Sequence, residues 1–115
     1  MTLNVLFFSQ GSGKEPVKAW LKKLSHQDQI QIGQDIDEVR NLWPVGMPLV
    51  RKLNPKLWEI RSRLRDGIAR VFFTIEQQDM ILIHGLVKKT QKTPKADLEL
   101  SQQRIKQWTR TQKNE

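Results

Sequence analysis

The 115-residue chain predicts an α+β fold, with an N-terminal strand, a two-helix hairpin packed on a mainly antiparallel twisted sheet, and a C-terminal helix. Three observations predict it. Residues 57–87 hold three strand-patterned runs separated by short turn signals. Residues 16–43 hold two apolar stripes at helical spacing. After a basic stretch, Thr93-Pro94 reads as a cap followed by proline at a first helical position. The length suits one domain over residues 1–115, with a single core.

Taken in order, residues 3–9 are apolar and rich in Val and Phe, a short strand ended by Gln10-Gly11-Ser12-Gly13-Lys14. The GSGK fragment is not a phosphate loop: the spacing is wrong, and Glu15 stands where that motif needs Ser or Thr. Pro16 opens a helix whose stripe is Val17, Trp20, Leu21 and Leu24. Residues 25–27 break it. A second helix carries Ile32, Ile36, Val39 and Trp43 and stops at Pro44. Gly33 inside it costs about 1 kcal/mol against alanine unless close packing needs it. Trp20 and Trp43, at helical spacing, read as core. Residues 45–56, with Gly46, Pro48 and Pro55, read as a loop holding a basic cluster of Arg51, Lys52 and Lys56.

The three strands follow as a meander. In the first, Leu57, Glu59, Arg61 and Arg63 point one way and Trp58, Ile60, Ser62 and Leu64 the other. Arg65-Asp66-Gly67 is a hairpin signal. The second strand sets Arg70 against Val71, Phe73 and Ile75 on the opposite face; Glu76-Gln77-Gln78-Asp79 then turns the chain. The third, residues 80–87, is apolar on both faces, as a strand covered on both sides must be. A simple register puts Arg61 beside Arg70 on one face with Glu59, while the face chosen by His84 and Lys88 depends on a register that alternation leaves open. The upstream helices are expected to cover the apolar face and leave the arginine face open. The last helix, residues 94–110, has a thin stripe of Leu98, Ile105 and Trp108, to be completed by a partner or left as a surface helix; residues 111–115 are expected to fray.

The formal charge is +8, and its distribution is one-sided. Residues 1–50 sum to zero; residues 51–115 hold fifteen basic and seven acidic side chains. Such a surface attracts polyanions, nucleic acid above all. The chain has no cysteine, and His26 and His84 form no metal-ligand pattern. The start MTLNVLFFSQ lacks signal-peptide character and no apolar run is of membrane length, so a cytoplasmic protein without membrane partners is expected.

The run LWEIR, then ARVFF, then ILIHGLVKKTQKTP resembles the HigB-like, phage-derived branch of the RelE/ParE superfamily of bacterial toxins. The resemblance spans residues 57–104, and KKTQKTP is its most specific part. It implies a RelE-like fold and a type II toxin–antitoxin module, in which a co-encoded helix-turn-helix antitoxin neutralises the toxin and alone contacts DNA. It further implies a ribosome-dependent mRNA endoribonuclease that uses neither metal nor cofactor and inhibits translation. By that likeness Arg61 and Arg70 clamp the phosphate, Lys88 or Lys89 stabilises the leaving oxygen, and Glu59 or His84 moves the proton. Arg51, Lys52, Lys56, Arg63, Lys92 and Lys95 extend the RNA-binding surface, with Phe72 stacking on a base. The chain has no tyrosine, which some RelE-type nucleases place near the base. A ParE-like gyrase inhibitor, or a non-catalytic nucleic-acid-binding module, is the alternative on the same fold.

Overall fold

The computed structural model describes residues 1–89 and 92–113. The elements are β1 (Asn4–Phe7), α1 (Pro16–Lys22), α2 (His26–Leu42), β2 (Val50–Asn54), β3 (Leu57–Leu64), β4 (Gly67–Glu76), β5 (Asp79–Lys88) and α3 (Lys95–Lys113). They form one five-stranded sheet in the order β1-β5-β4-β3-β2, in which only the β1–β5 pair is parallel. The expected α+β architecture is therefore present.

Local chemistry accounts for the helix limits. Pro16 opens α1. The Ser25 side chain accepts a hydrogen bond from the Asp28 N–H and caps α2. Pro44 bars helical geometry at Trp43, whose ψ is 135°. Both expected stripes then pack on one sheet face: Val17, Ile32, Ile36 and Val39 meet Ile60, Val71, Phe73, Met80 and Leu82. Trp20 and Trp43 pack against this core as expected, and Trp43 meets Trp58 and Phe73 edge-on.

Three expectations need correction. Residues 50–54 are not loop but strand β2, paired antiparallel with β3. Their short run, flanked by Pro48 and Pro55, carries too little alternation to be recognised without its partner. The three-stranded meander is consequently the middle of a wider sheet. Most important, the arginine face is not open: α3 lies across it. Leu98 packs on Leu57, Phe72 and Leu86, while Ile105 and Trp108 pack on Phe8, Ile81 and Ile83. The molecule thus has three layers, with α1 and α2, the sheet, and α3 stacked in turn. The helix also runs on to Lys113 rather than fraying from residue 111. The expected turn at Thr90-Gln91 and the last two residues, Asn114 and Glu115, lie outside the described residues. Among the described residues no helix is long and apolar enough to cross a membrane.

A bulge settles the register that alternation left open. Phe73 pairs with Leu82 but Phe72 pairs with His84, so Ile83 is an extra residue in β5. Without it His84 would follow Met80 and Leu82 toward α1 and α2. With it, His84 shares the face of Arg61 and Arg70, and Gly85 turns toward α1. A Cβ built on Gly85 would lie 2.4 Å from Trp20 Cε3, so Trp20 occupies the space a side chain would take.

The glycines differ accordingly. Gly85→Ala should destabilise the fold by about 1–3 kcal/mol in urea unfolding, because the indole cannot move freely. Gly33 faces open space in α2, and Gly33→Ala should stabilise by up to about 1 kcal/mol in the same measurement.

Candidate phosphate-binding face under the C-terminal helix

Strand register sets the charged residues in rows across one face. Arg51 on β2 stands opposite Glu59 on β3, Glu59 opposite Phe72 on β4, and Phe72 opposite His84 on β5. In the next row Arg61 stands opposite Arg70, and Arg70 opposite Leu86. In the third, Arg63 and Lys88 flank Ile68. The expectation that Arg61 and Arg70 are cross-strand neighbours is met directly.

Two guanidinium groups on facing strands repel unless an anion lies close. Glu59 supplies it. Its side chain is fully buried, with Oε1 3.9 Å from Arg61 Nε. Thr93, just ahead of α3, joins the second oxygen to the second arginine: its hydroxyl donates to Glu59 Oε2 and accepts from an Arg70 terminal N–H, both at 3.1 Å. Arg70 is itself wholly buried. Burial pulls its guanidinium below the ordinary value; Glu59 pushes it back up, while Arg61 and Arg51 lower it further. Among the described residues, three guanidinium groups therefore gather near one carboxylate, Arg51 by standing opposite it on β2. The excess is positive, and it sits where water screens it poorly, so a phosphate is a natural complement.

His84 shares this face but is engaged. Its Nε2 lies 2.6 Å from Asp97 Oδ1 in α3, its ring stacks on Phe72, and an Arg104 terminal N–H points at Nδ1 from 3.4 Å. An approaching donor at Nδ1 assigns the proton to Nε2, so the imidazole donates to Asp97. Arg104 also donates to the carbonyl of Ile83, the bulge residue, at 2.9 Å. Burial lowers the Arg104 guanidinium from its ordinary value.

The structure separates the expected residues into an inner and an outer group. Glu59, Arg70 and Phe72 are each at 0 % exposure, and Arg61 keeps 12 % of its side-chain surface. With α3 in place Phe72 has no surface on which a base can stack and Arg70 cannot touch a phosphate, which corrects both expectations for this conformation. Leu98 and Ile105 of α3 pack in the cluster of Phe72, and Thr93, just ahead of α3, lies on Arg70. Arg51, Arg63, Lys88, Lys89, Lys92 and Lys95 are exposed. Arg51 and Lys92 line one groove of about 470 Å³ with Thr93, over the buried network. Arg63, Arg65 and Lys89 line another of about 400 Å³ at the β3–β4 hairpin. Lys52 lines the same groove as Arg51 and Lys92, and its ammonium lies over the Trp58 ring at 5.5 Å. Lys56 sits in the β2–β3 turn, apart from either groove, and Lys95 lies 4.0 Å from Glu99.

Thr93, Asp97 and Arg104 were missed by sequence reasoning, with Thr93 read as a helix cap. Asp97, Ser101 and Arg104 follow at i, i+4 and i+7 beside Leu98 and Ile105. That spacing was the available signal: α3 buries a stripe that is half polar and looks thin when only apolar residues are counted. Ser101 is fully buried and returns its hydroxyl to the Asp97 carbonyl.

Residues 19–106 match the model of a protein family described as Phage derived protein Gp49-like (DUF891), a match that takes in the whole charged face. No curated protein matches the chain.

Thr93 offers a direct check on the network. Thr93→Val keeps the shape and removes the hydroxyl shared by Arg70 and Glu59. It should cost about 1–3 kcal/mol in urea unfolding, and Thr93→Ser should recover most of that.

Proposed function

The chain belongs to the Gp49-like family of phage-derived proteins, a family of RelE/HigB-like toxins, and from that membership we propose that it is the toxin of a type II toxin–antitoxin pair acting on RNA. The observation that supports this most is the gathering of Arg51, Arg61 and Arg70 near Glu59, beside a groove that Arg51, Lys52 and Lys92 line. In this reading the protein is a ribosome-dependent mRNA endoribonuclease of the cytoplasm, held inactive by a helix-turn-helix antitoxin.

The proposed reaction requires no metal. The ribose 2′-hydroxyl attacks the adjacent phosphorus, the bond to the 5′-oxygen breaks, and a 2′,3′-cyclic phosphate forms. Negative charge gathers on the phosphate oxygens in the transition state, and fixed cations stabilise it. Arg61, at the border between the buried network and solvent, clamps the phosphate. Arg70 acts from beneath, holding Glu59 and Arg61 in position through charge and through Thr93. Lys88 or Lys89 serves the leaving oxygen. Glu59 and His84 are both hydrogen-bonded beneath α3, so neither reaches a 2′-hydroxyl unless the helix lifts. That one observation favours a second reading, in which the same basic surface inhibits DNA gyrase and cuts nothing; the lack of tyrosine points the same way.

Mapping message ends on translating ribosomes after expression separates the two readings. Cleaved messages support the nuclease; growth arrest with intact messages and impaired DNA supercoiling supports gyrase. For a nuclease, Arg61→Ala should slow cleavage by about 10²-fold or more at unchanged fold. Lys92→Ala should leave the chemistry in place, weaken RNA binding, and reduce the slope of log affinity against log salt by about 1.

A further inference from the structure

The sheet ends in β1 on one side and β2 on the other, and the chain treats these two edges differently. β2 is guarded. It carries Arg51 and Lys52, both exposed, and Pro48 and Pro55 stand just beyond its ends. Charged side chains and prolines at an edge keep strands of other chains from pairing with it. β1 has neither: no charged side chain and no proline precedes Lys14.

The hydrogen bonds show which backbone groups the β1 edge presents. The N–H groups of Asn4 and Phe8 donate to the carbonyls of Gln78 and Leu82, so Asn4, Leu6 and Phe8 are the residues bonded toward β5. Val5 and Phe7 turn their N–H and C=O outward, and among the described residues nothing bonds them on that side. Leu3 is already engaged: its N–H donates to the Arg40 carbonyl, and its own carbonyl accepts from Arg40 Nε. The open stretch is therefore Val5 to Phe7, with Leu6, 36 % exposed, at its middle.

A nucleic-acid strand gains nothing from an edge without cations. A second copy fits it. Antiparallel pairing about a two-fold axis at Leu6 sets Val5 of each chain against Phe7 of the other, so every outward N–H and C=O of the stretch is bonded and the two Leu6 side chains meet. The end of β1 beside Asp79, which accepts from Asn4 Nδ2 at 3.2 Å, then lies toward the end that runs on to the other copy's Lys14, so opposite charges approach at both ends. We propose that β1 pairs with β1 of a second copy, joining two sheets into one. This edge is distinct from the arginine face, and the proposal stands or falls independently of the RNA reading.

Sedimentation equilibrium of the full chain should show a monomer–dimer equilibrium. Leu6→Lys sets like charges against each other across the axis and should weaken the dimer about tenfold or more, with circular dichroism and melting unchanged. Ile30→Lys adds the same charge on exposed α2 and should leave the equilibrium as it is. The chain has no cysteine, so Leu6→Cys reports the register. Residues facing each other at such a position have Cα atoms about 4.5 Å apart, within disulfide range, and mild oxidation should give a crosslinked dimer. Lys52→Cys, on the guarded edge, should stay monomeric under the same oxidation. A strict monomer, equal dimerisation by Leu6→Lys, equal weakening by Ile30→Lys, or crosslinking at position 52 rather than position 6 would each overturn the proposal.

Discussion

Arg61 and Arg70 face each other across β3 and β4, and most of the rest follows from how the molecule tolerates that contact. Two like charges on neighbouring strands are unfavourable, increasingly so as water is removed. Glu59 cannot neutralise both, and Arg51 stands beside it on β2. The Thr93 hydroxyl then becomes structural. It is the bridge through which one carboxylate serves an arginine on each side, and it lies at the point where the chain leaves β5 and enters α3. Electrostatics and the path of the chain are therefore solved together.

The helix α3 is where stability and function meet. Its apolar residues cover two clusters on the sheet, and its polar ones continue the same contact: Asp97 on His84, Arg104 on the Ile83 carbonyl, and Trp108 Nε1 on Glu76. A helix held by a mixed stripe combines nonpolar packing with hydrogen bonds that depend on geometry, so small displacements break several contacts together. The same docking covers Phe72, while Thr93 at its approach contacts Glu59 and Arg70. The charged face is thereby both assembled and covered by one element, while Arg61 and the outer lysines remain at its border.

The two faces of the sheet are made by different means. Toward α1 and α2 the packing is apolar and dense, and Gly85 gives up its side chain so that Trp20 can lie against the strand. Toward α3 it is a mixture of aliphatic clusters and buried charge. The bulge at Ile83 links the faces, since one additional residue redirects His84 from the first to the second.

Periodicity by itself determined the two N-terminal helices, the three long strands and the pairing of Arg61 with Arg70, because each depends on contacts local in the chain or on one short hairpin. It also placed the positive charge in the second half. Strand β2 was not legible, since five residues without clear alternation become a strand only when β3 offers hydrogen bonds. Nor was the covering of the arginine face, because a stripe counted in apolar residues omits Asp97, Ser101 and Arg104, and the partners of Asp97 and Arg104 are on β5. The burial of Arg70 and Phe72 and the turning of His84 were likewise decided by tertiary structure alone: each is a long-range consequence of α3 docking or of a single inserted residue, and no local pattern in the chain encodes either.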